Sequence, residues 1–181
     1  MKKNTMKLAL CGVMTALSLV LMLFEGLFPI ASIAIPALAG CLLIPITAHA
    51  GLGWAFGTYG AAGLLCLLLA PDREAALIYL LFFGYYPAFF AVVSRIKSSA
   101  LRWAGKLAHF NAAAIGEALL VMFVLGVSPE EFTSIPIIGA YGPVVLLILA
   151  NLVFVVYDRA LGQVISLYYR RFYSRFQRYF R

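Results

Sequence analysis

The chain has 181 residues, of which 64% are hydrophobic and only 12% are charged, and its formal net charge is +7. A soluble domain carries about 25% charged residues, so this composition argues against a water-facing globular domain and indicates a membrane protein. The positive charge is confined to alternate gaps between apolar runs, which argues against a nucleic-acid partner and favours the anionic lipids of the inner leaflet.

Six apolar stretches approach the length of about 20 residues that a helix needs to cross the hydrocarbon core. The first is too long for the hydrophobic region of a cleaved signal peptide, so it is predicted as a span. The second and third are joined without any charge and form a tight hairpin, a re-entrant element or, as the charge pattern favours, two full spans. The six predicted spans cover residues 7–28, 33–50, 52–70, 75–94, 107–127 and 137–157.

The basic residues predict the orientation of these spans. All but one of the 14 Lys and Arg residues lie before the first run, between the fourth and fifth, or after the last. Cytoplasmic loops carry the excess of Lys and Arg. We therefore expect an all-α polytopic protein of the cell membrane, with six transmembrane helices and both termini in the cytoplasm. The gaps after the third and fifth runs, which face outside in this topology, hold Arg73 and the acidic residues Asp72, Glu74, Glu130 and Glu131.

Each of the three outer gaps, which follow the first, third and fifth spans, has a sequence pattern that predicts its local structure. Residues 29–36 are apolar and bracketed by prolines, so we expect them to fold down onto the bundle rather than stand in water. Residues 70–74 predict a compact polar turn, in which Asp72 or a neighbour begins the next helix. Ser128, followed by Pro129 and two acids, predicts the start of a short surface helix.

The last segment differs from the rest. From Leu161 to Tyr179 apolar residues recur every three or four positions, and basic and amide side chains fall largely between them. This pattern predicts a basic amphipathic helix that continues the sixth span or bends to lie on the cytoplasmic interface. The predicted domains are therefore a six-helix transmembrane domain over 1–157 and a cytoplasmic amphipathic helix over 158–181, which anchors to lipid without needing a protein partner.

Glu117 is the sharpest candidate for a functional residue. It lies near the middle of the fifth span, where a carboxylate is costly, so it should face the bundle interior, a cavity or a partner, or be protonated. The ordinary alternative is a protonated side chain that only packs against a neighbouring helix. Glu25, near the outer end of the first span, is either a solvated helix end or a pocket residue.

For the other polar and aromatic residues of the spans, contacts with lipid or with a neighbouring helix are an alternative to a functional role. Most aromatic side chains of the fourth span are expected to face lipid, but Tyr79 and Tyr86 are singled out because a buried hydroxyl needs a partner. Asn111 and Asn151 are expected to hydrogen-bond between helices.

Enzyme and metal motifs are missing from the sequence. There is no HExxH, GxSxG or P-loop, so we predict no enzyme, and no soluble nucleotide-binding domain fits this length. The two histidines lack a second ligand at helical spacing, and the three cysteines lie in apolar runs, so neither a metal site nor a cofactor is predicted. Any energy source must be another protein or an ion gradient.

Three features together resemble the substrate-binding S component of energy-coupling factor (ECF) vitamin transporters. They are a Lys-rich start that runs into a small-residue first helix over 7–16, the apolar first outer loop at 29–36 and the basic inner gap at 95–106. The resemblance covers residues 1–157. It implies a protein that binds a small metabolite or vitamin from outside, between spans four to six and under the first loop. It also implies reorientation when the protein docks on a T component that carries two ATPase subunits.

The resemblance also implies roles for particular residues. In that family an AxxxA pattern on the first helix contacts the T component; here Ala9 is followed at that spacing by Val13, and the closest match is Gly12 with Ala16. Ala9, Gly12 and Ala16 are thus the predicted docking residues. Glu117 would recognise a cationic or amide-bearing group, since a buried carboxylate prefers a donor partner. The predicted substrate-binding residues are Glu117, Glu25, Tyr79, Tyr86 and Tyr141.

Two other functions stay open. The chain is also similar to small structural scaffolds of the MreD type in bacterial wall synthesis, for which the aromatic fourth span and the small-residue first span would be protein-docking faces. The third candidate is a proton- or ion-coupled small carrier, with Glu117 as the titrating group.

Overall fold

The computed structural model describes residues 2–26, 32–126, 128 and 141–180, and within them every regular element is a helix. The all-α class is therefore confirmed. The elements are α1 (Lys2–Glu25), α2 (Ala34–Cys41), α3 (Leu43–His49), α4 (Leu52–Leu69), α5 (Arg73–Ile78), a π-helical turn (Tyr79–Phe83), α6 (Tyr86–Val93), α7 (Ser99–Leu125), α8 (Gly142–Arg171) and α9 (Tyr173–Phe180).

Within the described ranges, five helical segments are long and apolar enough to cross a membrane. A sixth, Ala34–His49, is apolar but spans only about 24 Å at 1.5 Å per residue, less than the hydrocarbon core of about 30 Å. The described chain thus has the five to six long, apolar helices that a membrane protein requires, and the exact number of spans stays a prediction. The five longer segments are Asn4–Glu25, Leu52–Leu69, Arg73–Val93, Ser99–Val124 and Gly142–Arg171.

The second predicted span is broken into α2 and α3 at Leu42. Pro45 explains the break, because it has no N–H to donate to the carbonyl of Cys41 and its ring crowds that carbonyl. Residues 29–31 of the predicted loop at 29–36 lie outside the described residues, and α2 already begins at Ala34.

The fourth predicted span begins as expected and then departs from a regular helix. Asp72 caps α5, since its Oδ1 accepts from the backbone N–H of Glu74 at 2.8 Å and of Ala75 at 3.2 Å. Ahead of Pro87 the helix widens into the π-helical turn, closed by a bond from the Gly84 N–H to the Tyr79 carbonyl at 2.7 Å. Pro87 lacks the N–H that a regular helix would donate four residues back, which accounts for the local change of pitch.

The basic gap between the fourth and fifth spans is shorter than the sequence predicts. The Ser98 side chain accepts from the Leu101 N–H and caps α7, which begins at Ser99 rather than near residue 107. Arg102 and Lys106 are therefore helical residues and not loop residues. The predicted surface helix after Ser128 lies outside the described residues.

The chain divides into two compact units, which we describe separately. Unit 1 comprises Met1–Arg95 with Leu161–Arg181, and unit 2 comprises Ile96–Ala160. Helix α8 runs through the boundary at residue 161 without interruption and ends at Arg171, so the predicted boundary at 157/158 falls inside a continuous helix.

The core of unit 1 is built mostly from small side chains, which let helices approach closely. One buried cluster groups Met22 and Tyr79 with alanines of α2, α4 and α5. The closest approach is that of α2 to the π-helical turn: a Cβ at Gly40 would lie 2.2 Å from the Phe83 carbonyl oxygen. Only glycine fits there.

The C-terminal helix folds onto unit 1. Helix α9 contacts α3 and α1, and its Tyr173 ring stacks on the His49 ring at 4.9 Å and 14°. Tyr168, near the end of α8, hydrogen-bonds to His49 Nε2 at 2.9 Å. The tail thus first continues α8 to Arg171 and then bends near Phe172, and its position at the cytoplasmic interface stays a prediction.

The charged residues of unit 1 lie at opposite ends. At the basic end, Lys7 Nζ donates to the Ala50 carbonyl at 3.5 Å, next to the turn that begins α4. At the acidic end, α1 finishes at Glu25 beside Asp72. Helix α1 thus runs from one end to the other.

The orientation has a direct test. We expect a cysteine at Ser99 to be labelled by a membrane-impermeant maleimide only from the cytoplasmic side, and one at Thr133, which lies outside the described residues, only from outside. Both cysteines are introduced into a Cys41→Ala chain, which alone serves as the control, because Cys41 is half-buried whereas Cys11 and Cys66 are buried. Labelling of both sites from the same side would contradict the predicted topology.

Candidate functional site

Glu25 is the most unusual polar residue of unit 1. Its side chain is 1% exposed although it ends α1. Its polar neighbours are Ser32 and Asp72, and among the described residues its Oε2 atom has no hydrogen-bond partner. The expectation of a solvated helix end is therefore wrong, and the pocket alternative remains.

The buried face of α1 explains why Glu25 is enclosed. Ser18, Met22 and Glu25 are all buried and recur at spacings of four and three, so they share one face of the helix. Beyond them Gly26 lies against Pro71, where a Cβ would be 2.8 Å from the proline ring. This close contact seats the end of α1 on the turn that precedes α5.

The arrangement at the acidic end favours a cationic or hydrogen-bond-donating group. Asp72 already accepts two backbone N–H bonds through Oδ1, so its carboxyl is held in place next to Glu25. Two neighbouring carboxyl groups in a poorly solvated place are stable when a proton or a cation lies between them. This is the chemistry that a solute with an ammonium or amide group would supply.

Tyr79 and Tyr86 are both fully buried in unit 1. Tyr79 belongs to the cluster around Met22, one turn before Glu25, and within the described chain its hydroxyl has no hydrogen-bond partner. Its polar neighbour Ser18 donates instead to the Ala39 carbonyl at 3.4 Å. Tyr86 packs among aromatic rings, 4.6 Å from that of Phe82, so its environment is an aromatic core rather than a polar pocket.

The other two predicted substrate residues belong to unit 2. Glu117 is half-buried on α7, and Tyr141, just before α8, is 74% exposed. Of the five predicted residues, Glu25, Tyr79 and Tyr86 are thus buried in unit 1, and Tyr79 packs in the cluster that contains Met22, one helical turn from Glu25 on α1. Glu117 and Tyr141 stay predictions of the sequence.

Unit 2 contains a buried ion pair that sequence reasoning missed. Lys106 on α7 donates to both carboxylate oxygens of Asp158 on α8, at 2.7 and 2.9 Å, and the two side chains are 10% and 4% exposed. The Lys106 ammonium also lies 5.4 Å from the centre of the Trp103 ring. The available signal was Asp158 itself, an acid among the basic residues of the inner gaps, which calls for a nearby cation.

Two further contacts extend this connection along α7 and α8. The Phe110 and Phe154 rings stack at 4.5 Å, and the amides of Asn111 and Asn151 exchange two hydrogen bonds of 3.0 Å. The predicted interhelical role of the two asparagines is confirmed. The ion pair, the ring stack and the amide pair together fix an antiparallel register between the two helices.

An open groove runs between α1 and α4 on unit 1. It has a volume of about 790 Å³, and Gly12 and Ala16 line it as small residues of α1. Helix α4 contributes Gly53, Gly57 and Ala61, a stripe of small residues at spacing four that sequence reasoning did not use. A Cβ added at Gly12, Gly53 or Gly57 would meet nothing within 4 Å, so no packing inside the described chain requires these glycines.

Ala9, the third predicted docking residue, is exposed on α1 but does not line this groove. The small-residue face therefore starts one turn later than the AxxxA resemblance implies, at Gly12.

Comparisons with known proteins add no relative to this picture. No protein-family model, no curated protein and no solved structure matches the chain.

Proposed function

We propose that the protein is an integral membrane substrate-binding subunit for the uptake of a small metabolite or vitamin, energised by a separate ATPase module as in ECF transporters. The observation that carries this proposal is the Glu25 carboxyl, buried beside Asp72 and Ser32 at the acidic end of unit 1. A buried carboxyl with an oxygen that no described residue satisfies costs free energy unless a ligand or a proton compensates it.

The chemistry of this end supports a particular class of solute. Glu25 and Asp72 would take an ammonium, amidinium or amide group, because a donor placed between them relieves the repulsion of two carboxylates. Tyr79, which shares a buried cluster with Met22, would add a hydroxyl for a second polar group of the solute. Glu25 thereby replaces Glu117 as the leading substrate residue, and Glu117 remains a second candidate.

The charge pattern would place this end on the outer side of the membrane. Cytoplasmic gaps carry the positive charge, and Glu25 and Asp72 lie at the end of unit 1 opposite Lys7. An uptake protein needs a binding site that is open to the outside before it docks on its energising partners. The acidic end meets that requirement.

The groove between α1 and α4 would be the docking face for a T component. Helices in membranes associate through small residues that let backbones approach, and the stripe of Gly53, Gly57 and Ala61 is open along its length. Gly12 and Ala16 complete the same face, as the family resemblance implies.

Native mass spectrometry of the protein in mild detergent tests the proposal. We expect a small molecule to stay bound to the unmodified protein and to be lost from Glu25→Gln, because the amide removes the negative charge that holds a cation. Glu74→Gln is the matched control, since Glu74 is an exposed acid of the same turn. Glu117→Gln, measured in parallel, shows whether both carboxyls contribute.

Other outcomes separate the remaining functions. Co-purification with wall-synthesis proteins, with no small molecule in any sample, would contradict solute capture and support an MreD-type scaffold that uses the same groove. Proton uptake into proteoliposomes by the isolated protein, abolished in Glu117→Gln, would support the small carrier.

A further inference from the structure

A second cavity lies at the basic end of unit 1, and its lining is amphiphilic. It has a volume of about 370 Å³ and is enclosed by α3, the start of α4, α6 and the last turns of α8. Apolar walls come from residues such as Leu52, Phe90 and Ile165, whereas Arg95 and Tyr169 are polar residues of its lining. Within the described chain no carboxyl group lines it, so the guanidinium sets the sign of its charge.

Arg95 has no competing anion nearby. It lies two residues beyond the end of α6, is exposed, and forms no ion pair with any described residue. A guanidinium offers five N–H donors in a planar fork that fits the oxygens of a phosphate group. An anion in this cavity would therefore meet an available cationic donor.

Two other polar side chains of the lining, those of Thr47 and Ser94, offer acceptors because their hydroxyl protons are already donated within the chain. The Thr47 hydroxyl donates to the Leu43 carbonyl at 2.9 Å, and the Ser94 hydroxyl donates to the Ala91 carbonyl at 3.0 Å. Their oxygens can still accept hydrogen bonds from the hydroxyl groups of a ligand. One cationic donor beside neutral acceptors and apolar walls matches a phosphodiester that carries a polyol and a hydrocarbon chain.

We propose that this cavity binds the headgroup of an anionic phospholipid, with its phosphate on Arg95 and the start of an acyl chain against Phe90 and Ile165. Basic pockets between transmembrane helices on the cytoplasmic side are typical sites for such headgroups. A general attraction of the basic tail to the inner leaflet requires no cavity, whereas this site selects one lipid molecule. It is independent of the proposed solute site, which lies at the opposite end of unit 1.

Lipid titration followed by native mass spectrometry tests this site. The protein is purified in a non-ionic detergent and mixed with dioleoyl phosphatidylglycerol or dioleoyl phosphatidylcholine. We expect one phosphatidylglycerol molecule to be retained in preference to phosphatidylcholine, and Arg95→Gln to weaken its binding roughly tenfold, the usual scale for one charge-assisted contact. Lys97→Gln is the matched control, since Lys97 is an exposed base of the same gap outside the lining, and it should stay within about twofold.

A second variant separates the cavity from charge alone. Ala91→Leu fills the space beside Phe90 without changing charge, so it should also weaken retention of phosphatidylglycerol. The proposal would be overturned by unchanged binding in Ala91→Leu or by equal retention of both lipids. Equal losses in Arg95→Gln and Lys97→Gln would overturn it as well. Displacement of the lipid by millimolar glycerol 3-phosphate would assign the site to a free phosphate compound instead of a lipid.

Discussion

Replacing Lys106 by methionine is expected to destabilise the protein by about 3–5 kcal/mol, the range found when one partner of a buried ion pair is removed. Lys106 and Asp158 are nearly inaccessible to water, and the variant deprives Asp158 of the ammonium that contacts both of its oxygens. The connection between α7 and α8 should weaken first. Thermal unfolding in a single detergent, followed by circular dichroism, measures the loss as a lower midpoint.

The double variant Lys106→Met with Asp158→Leu is the informative control. Apolar residues of similar size can replace a buried pair at little or no cost, so the double variant should recover most of the lost stability. Lys97→Met, at an exposed base, should leave the midpoint unchanged. A double variant as unstable as the single one would show that the charges themselves are not the cause.

Gly40→Ala is expected to be the most damaging single methyl group in unit 1. The new Cβ would lie 2.2 Å from the carbonyl oxygen and 2.9 Å from the carbonyl carbon of Phe83, so backbone rather than a flexible side chain would have to move. Overpacking of this kind costs about 1–3 kcal/mol and occasionally more, and we expect the upper end. The unfolding midpoint in detergent reports the effect.

Gly57→Ala is the matched control for Gly40→Ala, and we expect it not to lower the stability. Gly57→Ala adds the same methyl group inside a helix where nothing lies within 4 Å. Alanine is a better helix former than glycine by about 0.8–1.0 kcal/mol, so this variant should be neutral or stabilising. Equal losses at both positions would mean that the contact between α2 and the π-helical turn does not determine the stability of unit 1.

The sequence predicts those features of the fold that depend on local patterns. Apolar runs and charge spacing identify a helical membrane protein, because the bilayer demands long apolar helices whatever their neighbours are. The Asp72 cap is equally local, since its hydrogen bonds reach only two and three residues ahead. The Asn111–Asn151 pair could also be predicted as a type of contact, because an amide within a span needs a partner.

Features that depend on partners distant in sequence could not be predicted. The sequence pattern places Lys106 in a basic loop, whereas its pairing with Asp158, 52 residues away, depends on the register of α7 against α8. The burial of Glu25 follows from the contact of Gly26 with Pro71, which no periodic pattern reveals. The need for glycine at position 40 likewise arises only when α2 meets the π-helical turn.

The π-helical turn at Tyr79–Phe83 has a consequence for how this segment tolerates changes in length. Such a turn holds one residue more than an α-helical turn, and each residue of an α-helix turns the chain by about 100°. The bond from the Gly84 N–H to the Tyr79 carbonyl absorbs this extra residue within the turn, so Tyr86 and the residues beyond it keep nearly the helical phase that a chain one residue shorter would have. A loss of one residue is therefore expected to be tolerated better within Tyr79–Phe83 than within α5 or α6, where it would rotate the following side chains by about 100°.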